Sequence, residues 1–363
     1  MPQPIGEAHS ATLGRPLGVP PPDLSPDECL RIASEGFGIH AVAARPFPFR
    51  AECDQLCRLT TAHGAEFTMR ISNPAQDPQV LEFQNLAIEY AGARDASLPI
   101  PRLVRSRSGQ GIYFYKFADQ TYGIRILTCL PGRPILGVMT TPGLRHNIGM
   151  ALARFDAAMQ GFSHPEANPD MIWDMRNAGR VGRLDFDIAD ARKRDVLTAA
   201  FARFERNAAP ALSGLRTQVI HNDLNPKNIL VDETRTDQVT GIIDFGDMID
   251  GPLVFDPAVA ISKLILDLVD MQQLERMDAV AFSCNVLAGY SSVLPLQADE
   301  IALLLDLIIV RLAMRVAIRA WRCKRNGERL DPGIVESGGA ALNYLLALPS
   351  DIVRARFIQA AGL

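Results

Sequence analysis

The amino-acid sequence predicts an α+β protein of two lobes, the first built on a small antiparallel sheet and the second mostly helical. Its 363 residues exceed the usual size of one domain and leave room for two hydrophobic cores. Short β-like runs fill much of the chain before a Leu-Pro-Gly-Arg-Pro segment at 130–134, and helical periodicity dominates after it. We therefore expect an N-lobe at 25–129 and a C-lobe at 130–363.

The N-lobe opens on a helix that its own capping residues define. Residues 1–24 are rich in Pro and Gly and predict a flexible N-terminal arm. Ser25 then precedes a Pro at the first helical position, and Glu28 lies three residues after Ser25, which is the pattern of a capping box. We expect this helix to end at Gly36, because glycine commonly terminates helices.

A small sheet carrying one main helix follows. The runs at 51–61 and 66–72 flank a short turn-like spacer and predict a β-hairpin. Apolar residues at helical spacing predict the main helix at 79–93. Three further short strands are predicted, at 103–107, 111–115 and 122–127.

The C-lobe is predicted to be helical except for one strand-rich segment at 218–244. This segment contains short apolar runs separated by polar loops, which is typical of strands joined by turns. Six amphipathic helices surround it in sequence, at 144–159, 189–206, 257–269, 274–290, 298–326 and 334–348.

The composition excludes several classes of protein. The formal net charge is -4, from 37 Lys+Arg against 41 Asp+Glu, so we expect no nucleic-acid partner. No apolar stretch is long enough to span a membrane, and the first residues do not resemble a secretory signal, so we expect a cytoplasmic protein. The six cysteines are scattered along the chain and predict free thiols in a reducing compartment.

Two polar segments in the strand-rich region carry residues suited to catalysis. Asp223 and Asn228 lie on a predicted loop, and Asp244 lies where the last predicted strand ends. An Asp and an Asn that offer only oxygen atoms suit Mg²⁺, which completes its coordination with phosphate oxygens and water. The other Asp can then accept a proton from an attacking hydroxyl, as phosphoryl transfer requires. His221 at the start of the loop is expected to be a packed, hydrogen-bonded histidine.

The order of these residues resembles the catalytic and metal loops of kinase-fold enzymes. It reads His-x-Asp-x4-Asn, an apolar strand, a turn, a second strand and Asp-Phe-Gly, over 221–246. The loop reads HNDLN rather than HRDLK, and no Ala-Pro-Glu segment follows, which favours small-molecule kinases over protein kinases. The stretch 221–260 resembles the aminoglycoside phosphotransferase and choline kinase superfamily. GIIDFGDM is similar to the hydroxylysine kinase and type II homoserine kinase branch, and the resemblance extends over about 30–350.

This resemblance implies a protein-kinase-like fold and a role for each matching residue. Asp223 becomes the catalytic base, and Asn228 and Asp244 become Mg²⁺ ligands that bridge the phosphates of ATP or GTP. Arg70 occupies the strand position where protein kinases have Lys, and Glu82 on the following helix is its expected ion-pair partner.

Three features need an interpretation of their own. The segment expected to cover the phosphates, near 49–55, contains no glycine. Asp247 adds a carboxylate just after Asp-Phe-Gly, which joins the metal site, attracts a cationic substrate or is simply exposed to solvent. Asp256, followed by Pro, is predicted to cap the next helix and to brace the catalytic loop.

The acceptor site is expected in the C-lobe. Carboxylates such as Asp247 would match an amine, and Trp173 either packs on an alkylammonium group or fills a lobe surface. Arg311, Arg315 and Arg319 recur every four residues and share one helix face. They form either a basic wall for a substrate carboxylate or a solvated stripe; we favour the stripe, with Arg315 as the member assigned to substrate.

The predicted function is a small-molecule kinase that transfers the γ-phosphoryl group of ATP or GTP to a hydroxyl of a small amine or amino acid. The resemblance favours an acceptor like 5-hydroxylysine, with homoserine, choline-type alcohols and aminoglycosides as alternatives. A nucleotide-binding pseudokinase is the alternative from another class. We expect no membrane partner, and a monomer or a homodimer.

Overall fold

A computed structural model describes residues 19, 21–47, 53–276 and 278–363. Most of the predicted N-terminal arm at 1–24, and most of the glycine-free segment near 49–55, lie outside these residues. The chain divides into two compact units. The first comprises Met1–Leu130 and His164–Met171, and the second comprises Pro131–Ser163 and Ile172–Leu363.

The first unit is an antiparallel sheet with two helices. The strands have the order β1-β2-β3-β6-β4, and β5 also pairs with β6. A core of buried apolar side chains, including Leu59, Met69 and Ile126, lies between this sheet and α1. The elements are α1 (Pro26–Phe37), β1 (Ala41–Pro46), β2 (Gln55–Thr61), β3 (Glu66–Ile71), α2 (Pro78–Arg94), β4 (Leu103–Val104), β5 (Tyr113–Phe117) and β6 (Gln120–Thr128).

The first helix begins as the capping pattern predicts. The Ser25 hydroxyl accepts a hydrogen bond from the Glu28 backbone N–H at 3.2 Å. The helix continues past Gly36, however, and ends at Gly38, whose φ of 72° lies in the left-handed region that glycine tolerates. The prediction that a glycine ends this helix is therefore right, but the residue is Gly38 and not Gly36.

The second unit is mostly helical and contains two small sheets. One sheet has the order β10-β9-β7, and the other pairs β11 with β8. The strands are β7 (Arg133–Pro134), β8 (Thr217–Ile220), β9 (Ile229–Val231), β10 (Val239–Ile242) and β11 (Ile249–Pro252). The helices are α3 (Pro142–Met159), α4 (Ala178–Val181), α5 (Ala191–Asn207), α6 (Phe255–Asp270), α7 (Ala279–Ser291), α8 (Ala298–Asn326), α9 (Pro332–Leu346) and α10 (Ser350–Ala361).

Helices α3 and α7 approach each other closely because each contributes a glycine to their contact. A Cβ atom at Gly149 would overlap the Val286 carbonyl oxygen, and one at Gly289 would overlap the His146 carbonyl oxygen. Only glycine permits two helix backbones to lie this near each other. This close packing fixes the relative position of two side chains that support the candidate site, as described below.

Three elements differ from the sequence-based expectation. The predicted helix at 274–290 is broken, because Asp278 caps a new helix, α7, by accepting hydrogen bonds from two backbone N–H groups. Strand β11 was not predicted, since its Gly251 and Pro252 are typical of loops, yet it pairs with β8. Helix α10 was not predicted either, because only Val353 and Phe357 in it are buried. Among the helices of the described residues, none combines the length and apolar character needed to span a bilayer.

Candidate active site

The catalytic candidates Asp223, Asn228 and Asp244 lie near the ends of strands in the second unit. The loop between β8 and β9 carries Asp223 and Asn228, and Asp244 lies just past the end of β10. Strands β9 and β10 pair antiparallel. A further hydrogen bond runs from the Ile243 N–H to the Asn228 carbonyl oxygen at 3.0 Å. This bond brings Asn228 and Asp244 to the same end of the hairpin.

Asp256 holds the loop between β8 and β9 in place through its carboxylate. Its carboxylate accepts hydrogen bonds from the backbone N–H of His221 at 2.8 Å and from that of Asn222 at 2.6 Å. The side chain is fully buried. The predicted capping role is wrong, because α6 begins at Phe255 with Val254 in the capping position. The carboxylate instead turns toward the loop, where two backbone donors would otherwise be buried without a partner.

His221 is a packed histidine with both ring nitrogens engaged. The Asp223 backbone N–H donates to Nδ1 at 3.2 Å, so Nε2 carries the ring proton and donates to the Ile243 carbonyl oxygen at 3.2 Å. The ring also packs against Phe245 and Phe155, with centroid distances of 4.9 and 6.1 Å. The imidazole therefore ties the loop to the end of β10 and has a structural role, as the sequence predicted.

Two residues of the site hold unusual backbone conformations. Asn222 has φ of 62° and Asp244 has φ of 65°, both in the left-handed region that residues other than glycine rarely adopt. The Asn222 side chain donates to the Asp247 carbonyl oxygen at 3.1 Å, which helps to hold this conformation. Such strain is maintained only where surrounding contacts enforce it, and it concentrates at functional sites.

The two oxygens of Asp223 face different surroundings. Oδ2 accepts hydrogen bonds from the side-chain amides of Asn225 at 2.9 Å and Asn228 at 3.2 Å. Oδ1 lies 3.9 Å from Lys263 Nζ and 3.8 Å from Arg311 Nη2. The Asp223 side chain retains 19% of its exposure. One oxygen is thus held in place by amides, while the other lies among cations without a close ion pair.

This environment suits Asp223 to accept a proton. Burial raises the pKa of its carboxyl, and the positive charge of Lys263 opposes the rise only in part. A carboxylate whose pKa is raised is a stronger base than an ordinary one. The geometry and the electrostatics both favour the base role that the resemblance assigns to it.

A second buried carboxyl, Asp156 on α3, supports the brace. The Tyr290 hydroxyl donates to Asp156 Oδ2 at 2.6 Å, across the α3–α7 contact that the two glycines permit. Burial raises the pKa of Asp156 well above its usual value, and the neighbouring charge of Asp256 raises it further. Burial raises the pKa of Asp256 too, but its hydrogen bonds with Asp156 and with the two loop N–H groups oppose that rise. Of the two carboxyls, Asp156 is therefore the one more readily protonated.

The donor set of Asn228 and Asp244 fits a hard cation. The Asn228 amide nitrogen donates to the Asp223 carbonyl oxygen at 2.8 Å, which leaves the amide oxygen for a metal. Asp244 is exposed at the same end of the hairpin. Among the described residues, no group of three or more His, Cys, Asp or Glu is arranged to hold a metal. A carboxylate and an amide oxygen, completed by phosphate and water, are nevertheless an ordinary Mg²⁺ set.

In the first unit, Arg70 on β3 is paired with Asp54 and not with Glu82. Arg70 Nε lies 2.5 Å from Asp54 Oδ2, and the Asn73 N–H donates to Asp54 Oδ1 at 3.0 Å. The predicted Glu82 partner is wrong because Glu82 is on the exposed face of α2. Asp54 immediately precedes β2, whose Leu56 is opposite Arg70 in the sheet, so the antiparallel register brings the pair together.

The arginine stripe of α8 is not solvated as a whole. Arg311 is 1% exposed, and its guanidinium donates to the Asn222 carbonyl oxygen at 3.0 Å and to the Trp173 carbonyl oxygen. Arg315 is half-buried and Arg319 is exposed. The stripe therefore passes from the catalytic loop to the surface along one helix, and the expectation of a solvated stripe is wrong for Arg311.

The other acceptor candidates lie close to this end of α8. Trp173 is half-buried, and its ring centroid lies 5.2 Å from the guanidinium carbon of Arg311. Asp247 is half-buried, and it influences the pKa of both Asp223 and Lys263. Of the candidates named from sequence, Trp173 and Asp247 thus lie among the charged groups that surround Asp223.

Sequence reasoning missed two residues, Lys263 beside Asp223 and Asp54 beside Arg70. It named the arginines of the α8 stripe but did not single out Arg311, which lies beside Asp223. The signal for Lys263 was a single cation inside a strongly apolar helical run, which is costly to bury without a partner. Asp54 gave no such signal, because it lies at the end of the segment at 49–55 that is expected to cover the phosphates.

Comparison with known proteins agrees with this geometry. The sequence model of the phosphotransferase enzyme family matches residues 44–295. The hydroxylysine kinase of Mus musculus is 29% identical over 311 residues, which are 79% of this chain and 80% of the mouse protein.

Two solved structures share the fold. A microcompartment-associated aminopropanol kinase has a TM-score of 0.64 at 20% identity and covers 92% of this chain and 98% of its own. An amicoumacin kinase in complex with AMP-PNP, Ca²⁺ and Ami has a TM-score of 0.64 at 13% identity, over 88% of this chain and 92% of its own.

The fold and the site together define a kinase-like enzyme, a phosphotransferase whose acceptor is a hydroxyl group of a small molecule. The chain belongs to the phosphotransferase enzyme family, and among characterised proteins it is similar to hydroxylysine kinases.

Proposed function

We propose that this protein transfers the γ-phosphoryl group of ATP or GTP, bound with Mg²⁺, to the hydroxyl of a small amino alcohol such as 5-hydroxylysine. The observation that carries the proposal is the environment of Asp223. Its carboxylate has one oxygen fixed by two amides and the other accessible, and its pKa is raised by burial. This is the arrangement that a general base for an alcohol requires.

In the proposed reaction, Asp223 orients the acceptor hydroxyl and takes its proton. The acceptor oxygen forms a bond to the γ-phosphorus as the bond between that phosphorus and the β,γ-bridging oxygen breaks, so the nucleoside diphosphate leaves. Asn225 and Asn228 hold the carboxylate in one orientation throughout, which lowers the entropic cost of the reaction. Asn228 and Asp244 would hold the metal ion, which would neutralise phosphate charge.

We assign to Arg70 a contact with the nucleotide phosphates. Its guanidinium is 13% exposed and is oriented by Asp54, so it is fixed in place by the protein before any nucleotide binds. Glu82 has no part in this arrangement because it is exposed.

The similar proteins support the choice of acceptor. The mouse relative is named for hydroxylysine and the aminopropanol kinase for an amino alcohol, so a hydroxyl and an amine recur in both names. Neither name identifies the substrate of this chain, and we extend only the shared class of amino alcohols to it.

An acceptor screen tests the proposal. Nucleoside diphosphate release would be measured with ATP or GTP and a panel of 5-hydroxylysine, homoserine, aminopropanol, choline and aminoglycosides, with and without Mg²⁺. We expect release that depends on both Mg²⁺ and one amino alcohol. Nucleotide binding by calorimetry, without acceptor-dependent release for any member of the panel, would favour a pseudokinase instead.

A further inference from the structure

Two cations lie beside Oδ1 of Asp223, and they come from different helices. Lys263 Nζ on α6 lies 3.9 Å from Oδ1, and Arg311 Nη2 on α8 lies 3.8 Å from it. Oδ2 differs, because it accepts hydrogen bonds from the side-chain amides of Asn225 and Asn228. Positive charge is therefore concentrated at the oxygen that is left for the acceptor hydroxyl.

The two cations differ in how they are held. The Arg311 guanidinium is 1% exposed and donates to the carbonyl oxygens of Asn222 and Trp173, so it holds backbone in place. The Lys263 side chain is 17% exposed, and its Nζ lies 5.5 Å from the centroid of the Trp173 ring. A ring face attracts a cation and leaves ammonium N–H groups available for an oxygen ligand. Of the two, Lys263 is therefore the cation that a ligand beside Asp223 can reach.

The charge of Lys263 is offset by Asp223 in the unliganded protein. Burial lowers the pKa of Lys263 to about 8, and the negative charge of Asp223 opposes that change, so the residue is mainly a cation at neutral pH. The surrounding part of α6 is strongly apolar. A cation in such a run is costly to bury unless a group of opposite charge lies near it.

The proposed reaction removes this offsetting charge. When Asp223 takes the proton of the acceptor hydroxyl, its carboxylate becomes neutral, and the phosphoryl group becomes bonded to the acceptor oxygen. That oxygen is hydrogen-bonded to Asp223 at about 2.7 Å, so the phosphoryl oxygens come within reach of a cation that lies 3.9 Å from Oδ1. The negative charge that Lys263 loses at Asp223 is thus replaced by that of the phosphoryl group.

We propose that Lys263 is a catalytic residue whose ammonium group binds the phosphoryl group as it passes to the acceptor, with the phosphoryl oxygens replacing the Asp223 carboxylate as its counter-ion. This rests on the proposed function and adds a residue to its mechanism. The bonds that form and break are those of the proposed reaction, and Lys263 keeps its proton throughout. Because Lys263 faces a charged Asp223 until transfer begins, its contact with the phosphoryl group strengthens in the transition state and raises kcat.

A split between kcat and KM tests this role, with the amino alcohol that the acceptor screen selects. Lys263→Met should lower kcat by about 100-fold and change the KM of nucleotide and acceptor by less than about 3-fold. Lys263→Arg keeps the charge and should recover at least about 10-fold of the loss. Urea titration verifies that both variants are folded. An unchanged kcat in Lys263→Met would overturn the proposal, as would a loss confined to a raised KM.

Lys324→Met is the matched control. Lys324 on α8 is exposed, and its Nζ donates to Asp185 and Asp187 at the surface. The substitution removes the same charge from the second unit and should leave kcat unchanged. An equal loss of kcat in the two methionine variants would show that the position of Lys263 has no special effect, which would also overturn the proposal.

Binding of a phosphoryl mimic separates this proposal from the proposed function. Fluoroaluminate, bound together with Mg·ADP, mimics a phosphoryl group in transfer, and its binding requires no turnover. By calorimetry, fluoroaluminate should tighten the binding of Mg·ADP at least about 10-fold in the wild type and less than about 3-fold in Lys263→Met. Mg·ADP alone should bind equally to both proteins.

The two proposals then fail in different ways. Absence of transfer to every alcohol would remove the proposed function, while the fluoroaluminate titration would still decide whether Lys263 binds a phosphoryl group. Equal tightening in the wild type and in Lys263→Met would overturn the role of Lys263 even if transfer occurs, as would no tightening in the wild type.

Discussion

Two buried arrangements of an aspartate and an arginine, one in each unit, differ in how completely their charges are paired. In the first unit, Arg70 Nε lies 2.5 Å from Asp54 Oδ2, and a backbone N–H occupies the other oxygen. In the second unit, Arg311 Nη2 remains 3.8 Å from Asp223 Oδ1, because its donors are used by two backbone carbonyl oxygens.

The pKa shifts record the same contrast. Burial alone would raise the pKa of Asp54, but its pair with Arg70 outweighs burial and lowers it. Burial also raises the pKa of Asp223, and there Lys263 and Arg311 are too distant to reverse the rise. The close pair with Arg70 keeps the Asp54 carboxylate ionised, whereas the more distant cations beside Asp223 leave that carboxylate better able to take up a proton.

A large effect is expected at Asp244, which we assign to the metal ion. Asp244→Asn should lower the rate of transfer by about 100- to 1000-fold, because the amide lacks the negative charge that is proposed to bind the Mg²⁺ ion. The measurement is the steady-state rate as a function of Mg²⁺ concentration, which should also show weaker apparent binding of Mg²⁺. Glu233→Gln on the exposed turn between β9 and β10 is the control. An unchanged Mg²⁺ dependence in Asp244→Asn would contradict the metal assignment.

The next effect tests the closed pair. Asp54→Asn should lower the free energy of unfolding by about 3 kcal/mol, because it removes the carboxylate charge that lies against the buried Arg70 guanidinium. Urea titration followed by circular dichroism measures the loss. The control is Glu66→Gln, which removes an exposed ion pair with Arg58 at 3.8 Å and should cost less than about 1 kcal/mol. Similar losses in both variants would show that the Asp54 pair is no more structural than a surface pair.

The pH dependence follows from Lys263, whose pKa is lowered by burial to about 8. The residue is a cation below this pH and neutral above it. The free energy of unfolding should therefore gain a contribution as the pH rises from about 8 toward the ordinary pKa of lysine, because the unfolded chain still holds a proton that the folded protein has released. Lys263→Met should remove this pH-dependent contribution in urea titrations. Profiles of the same slope in the wild type and the variant would contradict the lowered pKa of Lys263.

The smallest effect is expected at Asp156, because burial raises its pKa well above the usual value and favours the neutral form. Asp156→Asn keeps an acceptor for the Tyr290 hydroxyl and should change the free energy of unfolding by less than about 1 kcal/mol. Asp256→Asn, which loses the charge that binds two loop N–H groups, should cost more. The reverse order in urea titrations would show that Asp256 is the neutral member of the pair.

How far the sequence predicts the site depends on how local each residue is. Asp223, Asn228 and Asp244 lie within 22 residues of one another, in a pattern whose strands and turns position them. Helix α8 was likewise predicted with its observed bounds, since its apolar periodicity is long and its end is marked by Gly327. Local pattern was sufficient for these features.

Contacts between residues that are distant in sequence could not be predicted from local patterns. Lys263 and Arg311 are far from Asp223 in sequence, and no short motif announces that α6 and α8 would bring them to it. The choice between Glu82 and Asp54 depended on strand register and on which face of α2 is buried, and neither can be read from spacing alone. Long-range packing therefore determines which side chains lie beside Asp223 and Arg70, and local sequence patterns do not show this packing.

The most direct test of the account is the rate of phosphate-ester formation by Asp223→Asn and by the wild type. Both would be given Mg²⁺ with ATP and the preferred amino alcohol, and the ester would be followed by ³¹P resonance. The account predicts a rate about 1000-fold lower in the variant, with nucleotide affinity and the free energy of unfolding unchanged. A variant that forms the ester at nearly the wild-type rate would contradict the assignment of Asp223 as the base.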